Sequence, residues 1–133
     1  MTERAHILIV DDDPNILALL TDLLSPFYAV SNRTNAADAI QQLDWEPSDL
    51  LIIDLNMPLL LGEEAIRMIR ERPAGRALPI LVISGDSAPR ERLLDSDVQA
   101  ILEKPFLTDD LLRMVQDLLA EPRRKPESDA SFQ

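Results

Sequence analysis

Residues Leu50-Leu-Ile-Ile53 run without a polar interruption and stop at Asp54. A short unbroken apolar run with β-branched residues, and with Pro58 just beyond it, specifies a strand covered on both faces. Such strands belong to parallel sheets flanked by helices, so this stretch restricts the chain to an α/β architecture. It also leaves a carboxylate at the strand's C-terminal end, the edge of an open α/β sheet where ligands bind.

The same arrangement recurs along the chain. His6-Ile-Leu-Ile-Val10 is a second unbroken run, ending in Asp11-Asp12-Asp13-Pro14, and an Asp before Pro marks a helix start. Asp13 suits that helix N-terminus, where negative charge meets the dipole. Ile16, Leu19, Leu20 and Leu23 follow at helical spacing up to Ser25-Pro26 and predict the buried stripe. Residues 27–31 read as a strand, and Thr34 or Asn35 as the cap of a helix presenting Ala36, Ile40 and Leu43. Trp45 is expected to cover that helix's end, and His6, opening a strand, to be structural.

After the central strand and a loop over residues 57–62, a helix over 63–72 turns Ile66 and Ile69 inward. Residues 78–83 form a strand ending at Ser84, a short helix opens at Pro89 and closes near Ser96, and residues 99–102 form the last strand. That strand delivers Glu103-Lys104-Pro105-Phe106; Thr108 caps a final helix with Leu111, Leu112, Val115, Leu118 and Leu119 as its stripe. Five β-α units predict one doubly wound parallel sheet with right-handed crossovers. Residues 1–120 make the folded unit, and the Pro-rich, charged residues 121–133 an unstructured tail or the start of a linker.

A chain of 133 residues is long enough to bury a core without staples. Zero Cys excludes disulfides and thiolate chemistry and suits a reducing compartment. No apolar run nears the roughly 20 residues that cross a bilayer, and the N-terminus carries no signal-peptide pattern, so the expected location is cytoplasmic. A net charge of −11 argues against a nucleic-acid partner.

In a parallel sheet all the C-terminal strand ends share one edge. That edge gathers Asp11, Asp12, Asp54, Ser84 and Lys104. Clustered carboxylates repel, and a hard cation relieves them; Mg²⁺ takes oxygen ligands, keeps several waters and is often held by one or two carboxylates plus a phosphate. A carboxylate can also attack phosphorus to give an acyl phosphate. Such transfer needs positioning and positive charge on the equatorial oxygens, which a divalent ion and a Lys supply. The set is therefore complete for phosphorylation of Asp54.

Ile7-Leu-Ile-Val-Asp-Asp-Asp-Pro14, Leu51-Ile-Ile-Asp-Leu-Asn-Met-Pro58, Val82-Ile-Ser84 and Lys104-Pro-Phe106 together resemble the receiver domain of two-component response regulators, over residues 5–120. The resemblance implies a flavodoxin-like (βα)5 fold with strand order 2-1-3-4-5. It implies Asp54 as phosphoacceptor, Lys104 and Ser84 as phosphoryl contacts, and a cis Lys104–Pro105 bond. For Mg²⁺ it implies Asp12 and Asp54 as direct ligands, the Asn56 main-chain carbonyl as a third, and Asp11 acting through a bound water. The donor would be a sensor histidine kinase or a histidine phosphotransfer protein. The output would be a downstream protein or a further domain, with homodimerisation on phosphorylation an option the family offers. The only expected catalysis is self-phosphorylation and autodephosphorylation.

Three positions depart from that pattern. Ile101 stands where such domains usually have Tyr or Phe, so the usual aromatic partner of Ser84 in switching is missing. The expected switch therefore lies in the loop after Ser84. Leu59-Leu60-Leu61 replaces a more polar stretch and either packs back on the following helix or offers an apolar patch to a partner. Asp97 takes the place of a helix-closing Gly. Two rival readings follow: a receiver-like binding module that works without phosphorylation, and a Mg²⁺-dependent phosphatase with an Asp nucleophile. The phosphatase calls for a second Asp two residues beyond the first, where Asn56 stands. A nucleotide-binding Rossmann domain is weaker still, because Gly62, Gly75 and Gly85 form no phosphate loop.

Overall fold

The computed structural model describes residues 4–55, 59–85 and 97–120, with the side chains of residues 55 and 59–62 outside that description. In chain order it contains β1 (His6–Val10), α1 (Pro14–Leu24), β2 (Ala29–Arg33), α2 (Ala36–Trp45), β3 (Leu50–Leu55), α3 (Leu59–Arg70), a 3-10 turn (Pro73–Gly75), β4 (Ile80–Ser84), β5 (Ala100–Glu103) and α4 (Thr108–Ala120). The five strands form one sheet in the order β2-β1-β3-β4-β5, and every neighbouring pair is parallel. The expected flavodoxin-like order is the observed one.

Alternation along the strands builds two cores. Leu8, Val10, Leu51, Ile53, Ile80, Val82 and Ile101 pack with Ala39 and Leu43 of α2 and Ile66 and Ile69 of α3. Ile7, Ile9, Leu50, Ile52, Leu81, Ile83 and Leu102 face the other way, against Leu17, Leu20 and Leu24 of α1 and Leu111, Val115 and Leu118 of α4. Side chains two residues apart share a face, so an unbroken apolar strand needs helices on both sides. Each fully buried Leu or Ile contributes on the order of 1.5–3 kcal/mol.

Several boundaries differ from the sequence reading. The strand expected at 27–31 is Ala29–Arg33, because the N–H groups of Phe27 and Tyr28 both bond the Leu24 carbonyl and prolong the turn after α1. The expected loop over 57–62 is cut short: α3 begins at Leu59, in keeping with the high helix propensity of Leu. It ends at Arg70 because Arg72, preceding Pro73, is extended (φ −85°, ψ 144°). The strand expected at 78–83 is Ile80–Ser84; Pro79 has no N–H to donate, though its carbonyl accepts from Leu51 at 3.0 Å. Thr108 is the first residue of α4 rather than its cap, the Leu107 carbonyl accepting from Asp110 and Leu111. Asn35, not Thr34, caps α2, accepting from the Asp38 N–H at 2.8 Å. Trp45 covers nothing: its ring is 86% exposed at the end of α2. The short helix expected over 89–96 and the tail over 121–133 lie outside the described residues.

The N-terminal edge of the sheet is closed by polar side chains. His6 donates its main-chain N–H to Asp49 (2.8 Å), its ring pairs with Ser48 (3.1 Å) and Ser31 (2.9 Å), and the Asp49 N–H returns to the His6 carbonyl at 2.7 Å. Arg70, leaving the end of α3, bonds the carbonyls of Gly75 (2.8 Å) and Leu78 (2.5 Å), the Asp97 carbonyl (2.8 Å) and the Gln99 side chain (2.9 Å). Asp97 takes the left-handed conformation its position calls for (φ 63°). The guanidinium of Arg70 holds its carbonyl and lies 3.4 Å from its carboxylate.

Candidate functional site

The strand register sets out the opposite edge. Val10 lies beside Ile53 and Asp54 beside Ile83, so Asp11, the residue after β1, comes alongside Asp54. Asp54 shares its face with Leu50 and Ile52, and Asp11 with Ile7 and Ile9, which points both carboxylates to the α1/α4 side. Asp54 is 1% exposed, and Asp11 is fully buried. Beyond β5 a cis Lys104–Pro105 bond follows, and the Lys104 N–H donates to the Ser84 carbonyl at 2.8 Å. The Lys104 ammonium lies 2.7 Å from Asp54 Oδ1.

Burial raises the Asp54 carboxyl above the ordinary carboxylate range. The hydrogen bond and charge of Lys104 pull it back, as does the hydrogen bond with Asp11, while the charge of Asp12 pushes it up. Desolvation dominates, because one partly exposed ammonium does not replace the water that a carboxylate loses on burial. Asp11 Oδ1 accepts from the Asp13 N–H at 3.0 Å, and Asp13 caps α1 by accepting from Asn15 at 2.9 Å. Asp12 is exposed beside them.

Asp11, Asp54 and Lys104 are thus brought together, with Asp12 close enough to act on Asp54 electrostatically. Ser84 is buried at the end of β4, level with Leu55 and Glu103, and among the described residues no hydrogen bond joins its hydroxyl to Asp54. Ile101 sits in the α2/α3 core beside Val82, 5% exposed. Asn56 lies outside the described residues, as do the side chains of Leu59, Leu60 and Leu61.

The donor chemistry fits a hard cation. The Asp54 carboxylate is buried, and besides Lys104 and Asp11 no donor among the described residues reaches it. Those residues contain no ready-made cage of three acidic or imidazole side chains. Mg²⁺ does not need one, since water and phosphate oxygens complete its shell.

The family model of the response regulator receiver domain matches residues 7–116. The chain belongs to that family. This receiver domain is 36% identical to the response regulator MprA of Mycobacterium avium (strain 104) over 94% of its own length and 54% of MprA. It is 34% identical to the sensor histidine kinase TmoS of Ectopseudomonas mendocina over 90% of its length but only 12% of TmoS. It therefore spans about half or less of these curated relatives. It is also similar to the solved receiver domain of sensor histidine kinase PA1611 from Pseudomonas aeruginosa PAO1, described with a magnesium ion in its active-site cleft (TM-score 0.78, 26% identity, covering 90% of this chain and 100% of that one). No helix among the described residues is long and apolar enough to cross a membrane.

Sequence reasoning missed the surroundings of the receiver's acidic edge. A cleft of about 520 Å³ opens beside Asp54 and Lys104, walled by Ile16, Leu19 and Leu23 of α1 and by Phe106. The signal was present: α1 is apolar around much of its circumference, and of the expected stripe Leu20 is fully buried while Ile16 and Leu23 are partly buried against the same core. The structure buries Leu17, Leu20 and Leu24 and leaves Leu19 50% exposed.

Proposed function

We propose that this domain is a phosphorylation-dependent signalling switch in which Asp54 accepts a phosphoryl group from a phosphohistidine on a sensor histidine kinase or histidine phosphotransfer protein. One observation carries the reading: a buried carboxylate, raised by desolvation and set beside a second buried acid, is met by the Lys104 ammonium at 2.7 Å. Such an arrangement costs folding free energy. A module that only docks partners has no use for it, whereas phosphoryl transfer does.

An Asp54 oxygen attacks phosphorus while the bond from phosphorus to the donor nitrogen breaks, the electron pair staying on the ring, which leaves as neutral imidazole because its other nitrogen carries a proton. Lys104 exchanges its bond to Asp54 for one to a phosphoryl oxygen, neutralising charge as it moves from donor to acceptor. Ser84 donates its hydroxyl to a second phosphoryl oxygen. Burial keeps bulk water from Asp54 and strengthens each of these charge contacts. Asp12, Asp54 and the Asn56 carbonyl would hold Mg²⁺ directly and Asp11 through water; when bound, the ion supplies positive charge to the phosphoryl oxygens. Residues 1–120 act as the unit, with 121–133 as tail or linker. A downstream protein or a further domain reads the state.

Incubation with acetyl phosphate and Mg²⁺ should give a mass gain of one phosphoryl group in the wild type and none in Asp54→Asn. Sustained phosphate release from varied small substrates would instead favour a phosphatase.

A further inference from the structure

The edge of the sheet opposite Asp54 carries an aromatic that the core does not use. Trp45, the chain's one Trp, ends α2 with its ring 86% exposed. Acids stand beside it. Asp44 pairs with Arg72, the Glu46 side chain is 60% exposed and 3.7 Å from the His6 ring, and Asp49 takes the His6 N–H on one oxygen. Helix α2 also leaves its last carbonyls here, where a helix holds partial negative charge, and its last turn has no basic residue. Arg4 is engaged on the Ser25 carbonyl (2.9 Å) and Arg72 on Asp44.

Helix α4 delivers a basic run to this edge. It opens at Thr108, just after Lys104, and its 13 residues carry the chain about 20 Å back along the sheet. Ala120 therefore closes α4 at the same end of the sheet as Trp45, on the other face. Arg123-Arg124-Lys125 follow at once, in a chain whose net charge is −11. At about 3.3 Å per extended residue they reach roughly 10–17 Å beyond Ala120, before their own side chains are counted. That path crosses the start of β1 and β3, where Asp49 and Glu46 lie. We propose that Arg123-Arg124-Lys125 fold back over this edge, one guanidinium lying on the Trp45 ring and its neighbours meeting Glu46 and Asp49. Indole is the best ring for such a cation, and the acids and helix carbonyls beside it add to the attraction. Tethering holds the three cations at an effective concentration on the order of millimolar, so contacts that are weak singly become occupied. A second copy of this face is a poor occupant, because it would set acids against acids. The contact fixes the direction in which the chain beyond Lys125 leaves the domain, at the end away from Asp54.

Because Trp45 is the chain's one Trp, its fluorescence reads the contact in the full chain. Acrylamide quenching of the wild type should be about twofold weaker than in R123Q/R124Q/K125Q, since a stacked guanidinium covers one of the two ring faces. Glu46→Gln should give an intermediate value. Raising NaCl to 1 M, where the Debye length is about 3 Å, should bring the wild type toward the triple variant. In the wild type, nuclear Overhauser effects should join the Trp45 indole to Arg δ-methylenes. None of these substitutions touches the core, and circular dichroism should be the same in all three chains. Equal quenching with and without the three cations, or no Overhauser effect from an Arg to the indole, overturns the proposal. Protection that vanishes on dilution assigns the cations to a second copy. Equal protection of wild type and triple variant by an added Arg-Arg-Lys peptide assigns the site to a partner's basic segment. Either result overturns the fold-back as well.

Discussion

Asp54 opposes the fold that holds it. Its carboxyl keeps its proton to higher pH in the folded chain than in the unfolded one, chiefly through burial. Between those two values the unfolded state binds fewer protons, so stability falls as pH rises through the window and stays reduced above it. In EDTA, Asp54→Asn should be more stable than the wild type at pH 7, on the order of 1 kcal/mol, with the gap closing as the pH drops below the unfolded value. Urea titrations across that range check both sign and trend. Gly75 and Gly85 make a second contrast. A Cβ on Gly75 would lie 2.0 Å from the Ile69 carbonyl oxygen, whereas one on Gly85 meets nothing within 4 Å. Gly75→Ala should cost about 2 kcal/mol in urea unfolding, and Gly85→Ala should leave the global fold unchanged. Asp54, Asp11 and Lys104 were legible because each follows an apolar run. The electrostatic cost at Asp54 was not, because burial depends on what packs over a residue.

At the scale of elements, Arg70 does the work that a longer loop would otherwise do. One guanidinium joins the end of α3, the 3-10 turn, the residues before β4 and the left-handed corner before β5. Gln99 completes the link, its side-chain oxygen also accepting from the Ile80 N–H at 2.7 Å. Arg70→Ala should destabilise by about 2–3 kcal/mol, since several partly buried carbonyls lose their donor. Arg70→Lys should recover less than half, because a single ammonium does not span a fork's partners. Hydrogen exchange at Ile80 and Gln99 should quicken in both, ahead of the central strand. None of this was readable in sequence: an Arg at the end of a helix is ordinarily a solvated charge. Helix and strand identities were readable from periodicity. Their ends were set by capping bonds and by prolines, as at β2 and β4, and of the stripe expected on α1 only Leu19 lies outside the core.

Across the whole molecule the sheet order was legible because four short apolar runs and one more polar strand segment alternate with helical patterns, and right-handed crossovers allow few ways to join them. The Ile101 departure bears on how a signal crosses this sheet. Its side chain is fixed in the α2/α3 core beside Val82, on the face opposite Asp54. A branched aliphatic packed there has no inward and outward positions to exchange. On addition of a phosphoryl mimic with Mg²⁺, the amides of residues 85–89 should shift more than the Ile101 methyls. A large Ile101 response beside a silent loop would contradict this.

Asp11, Asp54 and Lys104, the residues of the proposed transfer, gather at one end of the strands, while the His6 cluster, Arg70 and the tight approach at Gly75 secure the other. Substitutions that retune donor choice or lifetime can therefore accumulate at the acidic end without loosening the joints that keep the chain folded. Variation in folding strength, in turn, can be absorbed at the far end with the transfer chemistry untouched. A lineage carrying this domain has two separate dials.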